Sequence, residues 1–526
     1  MTMTIIAAIL YIVTFLAGFS MLFLHSLHMF QQNSYKPNVQ RKWLKEHAGD
    51  MTGRSLAFLL SIPLLLFGGL PGLFAACALN LLTAWGNRPR EARIPLKLTK
   101  RVVRMMVTAG VVTGAFLAAV FLLQNLLTHD NLLLSVAVPL FGVLAPEIVL
   151  LSNFMNRPVE KAVSRHFYRE AEKKLESMPE LKVVGITGSY GKTSVKHYLY
   201  KLLSAKYNVL MTPGNYNTTL GVVITVREHL KATHEIFLCE MGARNVGDIK
   251  EICDLVHPDY GVITSIGPQH LESFQTIENV VKTKFELADA LPEDGIAFLN
   301  YDNEYIRRRE TGKTSVTYGA EYPGCDYRAY DISVSSKGTS FKMKDGSGKA
   351  WEFSTKLLGA HNVTNIAGAI AVANRLGVSM EALTMQVRRL EGVEHRLQLI
   401  KSPRGLIIDD AYNSNPSGAK AALDVLKQFD GIRILLTPGM VELGEKQYEY
   451  NKIFGTQAAG AADFIILVGE KQAKPIKDGA LEAGFDPDKL FVVNGLKEGL
   501  SRADGIHAGS ASKVILLEND LPDNYL

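Results

Sequence analysis

Residues 185–194 carry the clearest signature of chemistry in this chain of 526 residues. They read Gly-Ile-Thr-Gly-Ser-Tyr-Gly-Lys-Thr-Ser and lie between an apolar segment and a segment with helical periodicity. Glycines let backbone N–H groups approach phosphate oxygens, lysine can hold the β and γ phosphates, and threonine can ligate Mg²⁺. The segment therefore predicts an ATP and Mg²⁺ site, with contacts from Gly188, Ser189, Gly191, Lys192, Thr193 and Ser194. Ile186 stands where the strict pattern has its first glycine, so a glycine turn before an ordinary helix is the alternative.

Alternating strands and helices must position this loop. From residue 181 onward short apolar segments alternate with helical ones, which is typical of an α/β fold with a mainly parallel sheet. The predicted strands form two series, which cover residues 182–186, 208–211, 235–239, 260–265 and 295–299, and then 406–408, 433–436, 464–468, 491–493 and 513–517. We therefore predict a central P-loop domain over 181–394 and a Rossmann-like C-terminal domain over 395–526.

The first 155 residues have the composition of an α-helical membrane region. Residues 1–35 contain no charged side chain, and residues 5–30 are long and apolar enough to cross a hydrocarbon layer of about 30 Å. Two further uncharged stretches and an apolar run over 132–151 follow. A cleaved signal peptide is the alternative for the first stretch, but no basic residue precedes it. We predict a multi-pass membrane region over 1–155 and a linker or surface helix over 156–180 that starts near Pro158.

Basic residues beside these stretches predict their orientation, because Lys and Arg in short loops favour the cytoplasmic side. They form two groups, which are Lys36, Arg41, Lys42, Lys45 and Arg54, and then Arg88, Arg90, Arg93, Lys97, Lys100, Arg101 and Arg104. Both groups can be cytoplasmic only if the chain turns back between them, for which the Gly-Gly-Leu-Pro-Gly segment at 68–72 is suited. We expect a cell-membrane protein whose chain after residue 155 lies in the cytoplasm.

The overall composition excludes several classes of protein. Hydrophobic residues make up 47% of the chain, which excludes a disordered protein, and a net charge of +5 is too small to predict a nucleic-acid partner. The four cysteines show neither CxxC spacing nor clustering. We therefore expect no zinc ribbon, iron–sulfur site or disulfide framework.

Further motifs follow the phosphate loop along the chain. They occupy residues 214–221 (Gly-Asn-Tyr-Asn-Thr-Thr-Leu-Gly), 240–243 (Glu-Met-Gly-Ala), 270–274 (His-Leu-Glu-Ser-Phe), 281–286 (Val-Lys-Thr-Lys-Phe-Glu), 359–365 (Gly-Ala-His-Asn-Val-Thr-Asn), 395–397 (His-Arg-Leu), 409–416 (Asp-Asp-Ala-Tyr-Asn-Ser-Asn-Pro) and 440–444 (Met-Val-Glu-Leu-Gly). Together with the phosphate loop, and in this order, they resemble the motifs of the Mur ligase family, whose members use ATP to join amino acids or peptides to peptidoglycan precursors. The likeness spans about residues 181–470.

The resemblance implies two Mg²⁺ sites. Thr193 and Glu240 would hold the ion between the β and γ phosphates. His270 and Lys284 would hold the second, with Lys284 carbamylated by CO₂, because an ammonium repels Mg²⁺ whereas a carbamate offers anionic oxygens. An unmodified surface lysine, an ordinary hydrogen-bonded histidine and a glutamate that caps a helix are the alternatives.

The resemblance also implies a nucleotide clamp from two domains. Lys192 and Arg396 would neutralise phosphate charge, Asn362 and Asn365 would face adenine, and Asp410 would bind ribose or order the interdomain joint. Helix capping is the alternative for the two asparagines. Since Arg396 and Asp410 belong to the far domain, catalysis should require closure about residues 392–395. The implied catalytic residues are Lys192, Glu240, His270, Lys284 and Arg396.

These roles imply an amide ligase that converts a carboxylate into an acyl phosphate, which an amine then attacks. Soluble family members bind a UDP-sugar through an N-terminal domain, and here the apolar region takes that place. We therefore predict a membrane-anchored ligase. Its partners would be an amino-acid or peptide amine donor, a muramoyl-peptide or lipid-linked carboxylate acceptor, and membrane lipid.

Other functions remain open at this point. One is a conventional D-alanyl-D-alanine-adding ligase that acts on UDP-muramoyl tripeptide and only carries a membrane tether. A poly-γ-glutamate-type synthetase also combines this loop with membrane anchoring. In an ATP-driven scaffold or transporter, no bond would form. A glutaminase partner is not expected, because the zinc-ribbon cysteines of comparable amidating members are missing.

Overall fold

A computed structural model describes residues 2–88, 95–127, 132–269, 271–335, 337–402, 405–412, 414–507, 509 and 511–519. The chain divides into two compact units, of which the first ends at Arg165 and the second begins at His166. The predicted order of a helical N-terminal region followed by two α/β domains is confirmed.

The first unit is built from helices. These are α1 (Thr2–Gln32), α2 (Pro37–Glu46), α3 (Ala48–Phe67), α4 (Gly69–Gly86), α5 (Lys100–Leu127), α6 (Leu132–Val143) and α7 (Ala145–Glu176), the last of which continues into the second unit. Within the described residues, four helices are long and apolar enough to cross a membrane: α1, α3, α4 and α5. A fifth span results if α6 and α7, which meet at 72°, are counted as one.

The break predicted within residues 68–72 falls at Gly68, between α3 and α4, which pack against each other; residues 69–72 begin α4. A Cβ atom on Gly72 would lie 2.1 Å from the carbonyl oxygen of Leu64, so the backbones approach too closely for any other residue. This geometry agrees with the bent interpretation of the sequence. Of the basic residues on which the predicted orientation rests, Arg90 and Arg93 lie outside the described residues.

The helix predicted to start near Pro158 starts earlier, so that prediction is wrong. Helix α7 begins at Ala145 and runs through Pro158 to Glu176. Proline is common in the first turn of a helix, which favoured a start at this position. Inside a helix proline removes one backbone hydrogen bond, but it does not always end the helix.

The central domain contains a nine-stranded sheet in the order β2-β3-β1-β4-β5-β6-β7-β8-β9. Its strands are β1 (Lys182–Thr187), β2 (Val209–Met211), β3 (Ile236–Glu240), β4 (Tyr260–Ile263), β5 (Ile296–Asn300), β6 (Thr314–Gly319), β7 (Tyr327–Ser335), β8 (Gly338–Lys344) and β9 (Ala350–Thr355). Pairing is parallel from β2 to β7 and antiparallel from β7 to β9. The mainly parallel sheet is confirmed, whereas strands β6 to β9 were not predicted.

Helices cover both faces of this sheet because the buried residues of β1 alternate between two cores. Val184 and Ile186 share a core with Leu199, and Val183 lies in another with Val222. The helices are α8 (Lys192–Leu203), α9 (Thr219–His229), α10 (Asp248–Val256), α11 (Leu271–Phe274), α12 (Ile277–Asp289), α13 (Glu304–Arg307), α14 (Ala360–Arg375) and α15 (Met380–Val387). With both faces covered, the carboxyl edge of the parallel strands is the place for a ligand.

The C-terminal domain has a six-stranded sheet in the order β10-β11-β15-β12-β13-β14. Only β10 is antiparallel to its neighbour. The strands are β10 (Gln398–Ser402), β11 (Gly405–Asp410), β12 (Ile432–Thr437), β13 (Phe464–Val468), β14 (Leu490–Val493) and β15 (Lys513–Glu518), and the helices are α16 (Pro416–Leu426), α17 (Gln447–Ala459), α18 (Glu470–Glu482) and α19 (Leu496–Gly505). The five strands predicted here are all present, and β10 was not predicted.

Candidate active site

The phosphate loop joins β1 to α8, and two of its glycines cannot be replaced without displacing neighbours. Gly188 has a φ of +151°, and a Cβ atom there would lie 2.1 Å from Thr264 Oγ1. Gly191 caps α8 with a φ of +80°, and its Cβ would lie 2.6 Å from Asn365 Oδ1. The loop therefore keeps its backbone exposed to a ligand because only glycine fits both positions.

The segment after β4 anchors this loop. The backbone N–H of Ser189 donates to the Ser265 carbonyl oxygen at 2.7 Å, and that of Tyr190 donates to Ser265 Oγ at 3.1 Å. The hydroxyl of Ser189 donates to the Gly267 carbonyl oxygen at 3.1 Å. Because β1 and β4 are neighbours in the sheet, two strand ends determine the conformation of the loop.

Lys192 begins α8 and lies over the loop. Its Nζ donates to the carbonyl oxygens of Gly188 at 2.7 Å and Ser189 at 3.2 Å. Burial lowers the pKa of Lys192 to about 8; Glu240 opposes this shift, and Arg396 of the C-terminal domain adds to it. Lys192 and Arg396 therefore lie close enough for their charges to interact, as a clamp from two domains requires.

Glu240 ends β3 and is 1% exposed. Its Oε1 accepts hydrogen bonds from Thr193 Oγ1 at 3.2 Å and Asn217 Nδ2 at 3.1 Å. Its Oε2 lies 3.0 Å from Lys196 Nζ. Burial raises the pKa of Glu240, but Lys196 and Lys192 outweigh it, so the pKa is below its usual value and the group is a carboxylate.

Thr193 and Glu240 fit the first expected Mg²⁺ site. The two oxygens are 3.2 Å apart, near the edge of about 2.9 Å that an octahedron with ligands at 2.0–2.1 Å requires. A hydroxyl and a carboxylate are the hard oxygen donors that this ion prefers. The structure brings these two predicted ligands together.

Lys284, a predicted ligand of the second Mg²⁺ site, is a buried amine rather than an oxygen donor. It is 2% exposed on α12 and has no hydrogen bond or ion pair to any residue that the structure describes. Burial lowers its pKa well below the usual range, and Lys192 adds to this shift. Burial thus favours the neutral amine, which is the form that the expected carbamylation requires. His270, the other predicted ligand, lies outside the described residues.

The two predicted adenine contacts lie on α14 beside the phosphate loop. Asn362 Oδ1 accepts a hydrogen bond from the Tyr198 hydroxyl at 2.9 Å, and its Nδ2 donates to the Leu358 carbonyl oxygen at 2.8 Å. Asn365 points its Oδ1 at Gly191. Ser194, the last predicted loop contact, lies near the Tyr198 hydroxyl. The amide of Asn362 thus joins α14 to α8.

Asp410 lies at the carboxyl end of β11, where its register partner on β15 is Glu518. Asp410 Oδ1 accepts a hydrogen bond from the Leu397 backbone at 3.2 Å, and Glu518 Oε1 accepts one from Ser414 Oγ at 2.6 Å. Burial raises the pKa of Asp410 to about 6 and that of Glu518 well above its usual value, and Asp410 adds to the shift of Glu518. Arg396 opposes both shifts, and the hydrogen bonds of Asp410 to the Leu397 backbone and to Glu518 lower the pKa of Asp410. Burial thus disfavours a second negative charge on this pair. The Arg396 guanidinium lies 4.2 Å from the centre of the Tyr412 ring.

Sequence reasoning assigned no role to Lys196, Asn217 or Glu518. Lys196 lies three residues after Thr193 and four after Lys192, on the same face of α8, and this spacing was an available signal. Asn217 lies in the glycine–asparagine motif of residues 214–221, but the motif alone indicates no role for its side chain. Nothing local marks Glu518, because its partner Asp410 is distant in sequence.

The carboxyl pair predicts a pH-dependent stability. Since the folded state raises both pKa values, the stabilisation is present below about pH 4 and is lost as the pH rises through the folded pKa values. Glu518→Gln keeps an acceptor for Ser414 and a donor for Asp410 without a second negative charge. We expect it to raise the thermal unfolding midpoint of the detergent-solubilised protein by several degrees at pH 8, and by much less at pH 5.

The matched control is Glu482→Gln, which removes an exposed carboxylate that pairs with Lys452 at 2.8 Å. An exposed ion pair of this kind contributes little to stability, so the unfolding midpoint of this variant should change little at either pH. A Glu518→Gln midpoint that is lower than wild type at both pH values would contradict the raised pKa values of the pair.

Comparisons with known proteins agree with this arrangement. The profile of the Mur ligase middle domain matches residues 186–373, and that of the Mur ligase, glutamate ligase domain matches residues 395–517. The UDP-N-acetylmuramoyl-tripeptide–D-alanyl-D-alanine ligase of Bacillus subtilis is 32% identical over 352 residues, which are 65% of this chain and 75% of that protein.

Solved structures show the same likeness. MurF from Acinetobacter baumannii superposes with a TM-score of 0.62 and 27% identity, over 68% of this chain and 77% of the other. The MurF ligase from Thermotoga maritima in complex with ADP has a TM-score of 0.60 and 26% identity, over 68% and 80% of the two chains. Sequence and fold thus agree from the phosphate loop to β15, and the chain belongs to the Mur ligase family of ATP-dependent, amide-forming enzymes.

Proposed function

We propose that this protein is a membrane-anchored amide ligase that adds D-alanyl-D-alanine, or a related amino acid or dipeptide, to a muramoyl peptide held at the membrane. One observation carries the membrane part of the proposal. Four long apolar helices occupy the part of the chain before residue 186, where the matched family domains begin. The donor is taken from the name of the relatives.

The ligase chemistry starts with the carboxylate of the acceptor, which attacks the γ phosphorus of ATP and forms an acyl phosphate as ADP leaves. The amine then attacks the acyl carbon, and phosphate leaves as the amide forms. The backbone N–H groups of residues 188–191 and the Lys192 ammonium orient the phosphates, and Arg396 adds positive charge from the other side. Mg²⁺ held by Thr193 and Glu240 would further neutralise the phosphates.

Contacts between the two ligase domains support a clamp that closes. Arg244 of the central domain lies 3.6 Å from Glu442 of the C-terminal domain. The segment between α15 and β10 contains His395 and Leu397 with φ values of +57° and +47°, and His395 Nδ1 lies 2.7 Å from Asp409 Oδ2. These two left-handed residues support the proposal that the domains close about a hinge near residues 392–395.

The identity of the acceptor is inferred from the position of the apolar helices, which lie where soluble family members have a UDP-sugar-binding domain. A soluble acceptor needs a binding domain of its own, whereas a lipid-linked acceptor is already concentrated at the membrane surface. We therefore propose that the carboxylate belongs to a lipid-linked muramoyl peptide.

The first test is a product screen with the full-length protein in detergent, ATP, Mg²⁺ and D-alanyl-D-alanine. We expect phosphate release and a new amide by mass spectrometry with lipid-linked muramoyl tripeptide, and much less with the UDP-linked form. Lys192→Ala should lower the rate about 10²- to 10³-fold, because it removes a positive charge from the transition state. A better rate with the UDP-linked form would reject the lipid-linked acceptor, and phosphate release without any product would reject the ligase.

The second test concerns Lys284. We expect activity to fall when CO₂ and bicarbonate are removed and to return on addition of bicarbonate, because the carbamate forms from the neutral amine. ¹³C-bicarbonate should give a carbamate NMR signal in the wild type that Lys284→Ala lacks. Lys282→Ala, on the exposed side of the same helix, is the control and should retain both properties. Full activity without CO₂ would exclude the carbamate.

The third test concerns the anchor. Because four helices are apolar over lengths that span a bilayer, we expect the protein to stay in the membrane pellet at alkaline pH in carbonate and to be released by detergent. Release by carbonate alone would show a peripheral protein and reject the anchor.

A further inference from the structure

Lys196 lies one helical turn beyond Lys192 on α8, and its side chain is fully buried. Its Nζ donates to the carbonyl oxygen of Gly214 at 2.7 Å and lies 3.0 Å from Glu240 Oε2. A lysine is seldom buried in this way unless its charge is paired. Within the described part of the chain, Glu240 is the one carboxylate at ion-pair distance from it.

The contacts divide the two oxygens of Glu240 between different tasks. Oε1 faces the Thr193 hydroxyl and the Asn217 amide, which is the side of the phosphate loop. Oε2 faces Lys196 and accepts no hydrogen bond from any other described residue. The carboxylate therefore offers one oxygen to the loop while the other is held by an ammonium.

We propose that Lys196 is a positioning residue that keeps Glu240 a one-oxygen metal ligand and thereby favours Mg²⁺ over Ca²⁺ at the nucleotide site. This inference rests on the metal site of the proposed function and adds to it the choice of ion.

The physical reason lies in the coordination that the two ions accept. Mg²⁺ requires an almost ideal octahedron with oxygens at about 2.0–2.1 Å, whereas Ca²⁺ takes six to eight oxygens and often both oxygens of one carboxylate. An ammonium on Oε2 prevents Glu240 from binding an ion through both oxygens. Glu240 therefore cannot supply its second carboxylate oxygen, which is the additional ligand that would favour Ca²⁺.

The ammonium of Lys196 also links Glu240 to the loop after β2. Its Nζ donates a hydrogen bond to the carbonyl oxygen of Gly214. Asn217, three residues later, reaches Glu240 Oε1. One buried charge therefore orients the carboxylate from one side and positions the loop that contacts it from the other.

A purely structural role for Lys196 makes a different prediction. Loss of a buried charge partner would then destabilise the protein and weaken the binding of both ions to the same extent. Loss of the positive charge of Lys196 would strengthen the binding of both ions to the same extent. Neither effect changes the ratio of the two affinities, so this ratio is the diagnostic quantity.

The test measures ADP binding to the full-length protein in detergent by calorimetry, as the concentration of Mg²⁺ or Ca²⁺ is varied. The half-saturating Ca²⁺ concentration is divided by that for Mg²⁺. We expect this ratio to fall about tenfold in Lys196→Met, because both oxygens of Glu240 become available to Ca²⁺. The control is Lys206→Met, which removes a lysine that donates to the carbonyl of Gly377 at 2.9 Å, far from Glu240 in sequence, and should leave the ratio unchanged.

A second variant separates the two contacts of Lys196 and serves if Lys196→Met does not fold. Lys196→Gln keeps a donor for the Gly214 carbonyl but removes the charge, and the ratio should fall in the same way. An unchanged ratio in either folded variant, with metal-dependent ADP binding intact in the wild type, would overturn this inference alone. Wild-type protein that binds no ADP with either ion would overturn the proposed function and the inference together.

Discussion

The buried carboxylate of Glu240 is the constraint on which the central domain depends. Unpaired, a negative charge with 1% exposure would cost more than the fold can supply. The cation of Lys196 and the polar groups of Thr193 and Asn217 compensate it, and these come from α8 and the loop after β2. The same contacts that make the charge tolerable also bring the two glycine-containing loops to the end of β3.

The C-terminal domain has a similar electrostatic constraint, which involves two carboxyl groups. Asp410 and Glu518 end two neighbouring parallel strands, where the half-buried carboxylate of Asp410 and the buried one of Glu518 would repel each other if both were charged. Hydrogen bonds from the Leu397 backbone and from Ser414 hold the two carboxyl groups, and the charge of Arg396 acts on both of them.

The N-terminal unit follows from apolar length and close backbone contact. Its core is rich in aromatic residues, and glycines lie where helices approach one another, as Gly72 does beside Leu64. Small residues at such positions let apolar helices approach closely. Long apolar helices distinguish this unit from the ligase domains, so composition alone separates the two.

The sequence by itself determined the phosphate loop, the order of the motifs, the family and most parallel strands, because these depend on glycine positions and periodicities within a few residues. It did not predict β6–β9 or β10, whose polar and apolar residues pair only with their neighbours in the sheets. Only the tertiary structure decided which oxygen of Glu240 meets Lys196 and that Asp410 meets Glu518. Strand order and register set these contacts, and both join residues far apart in the chain, where no local pattern records them.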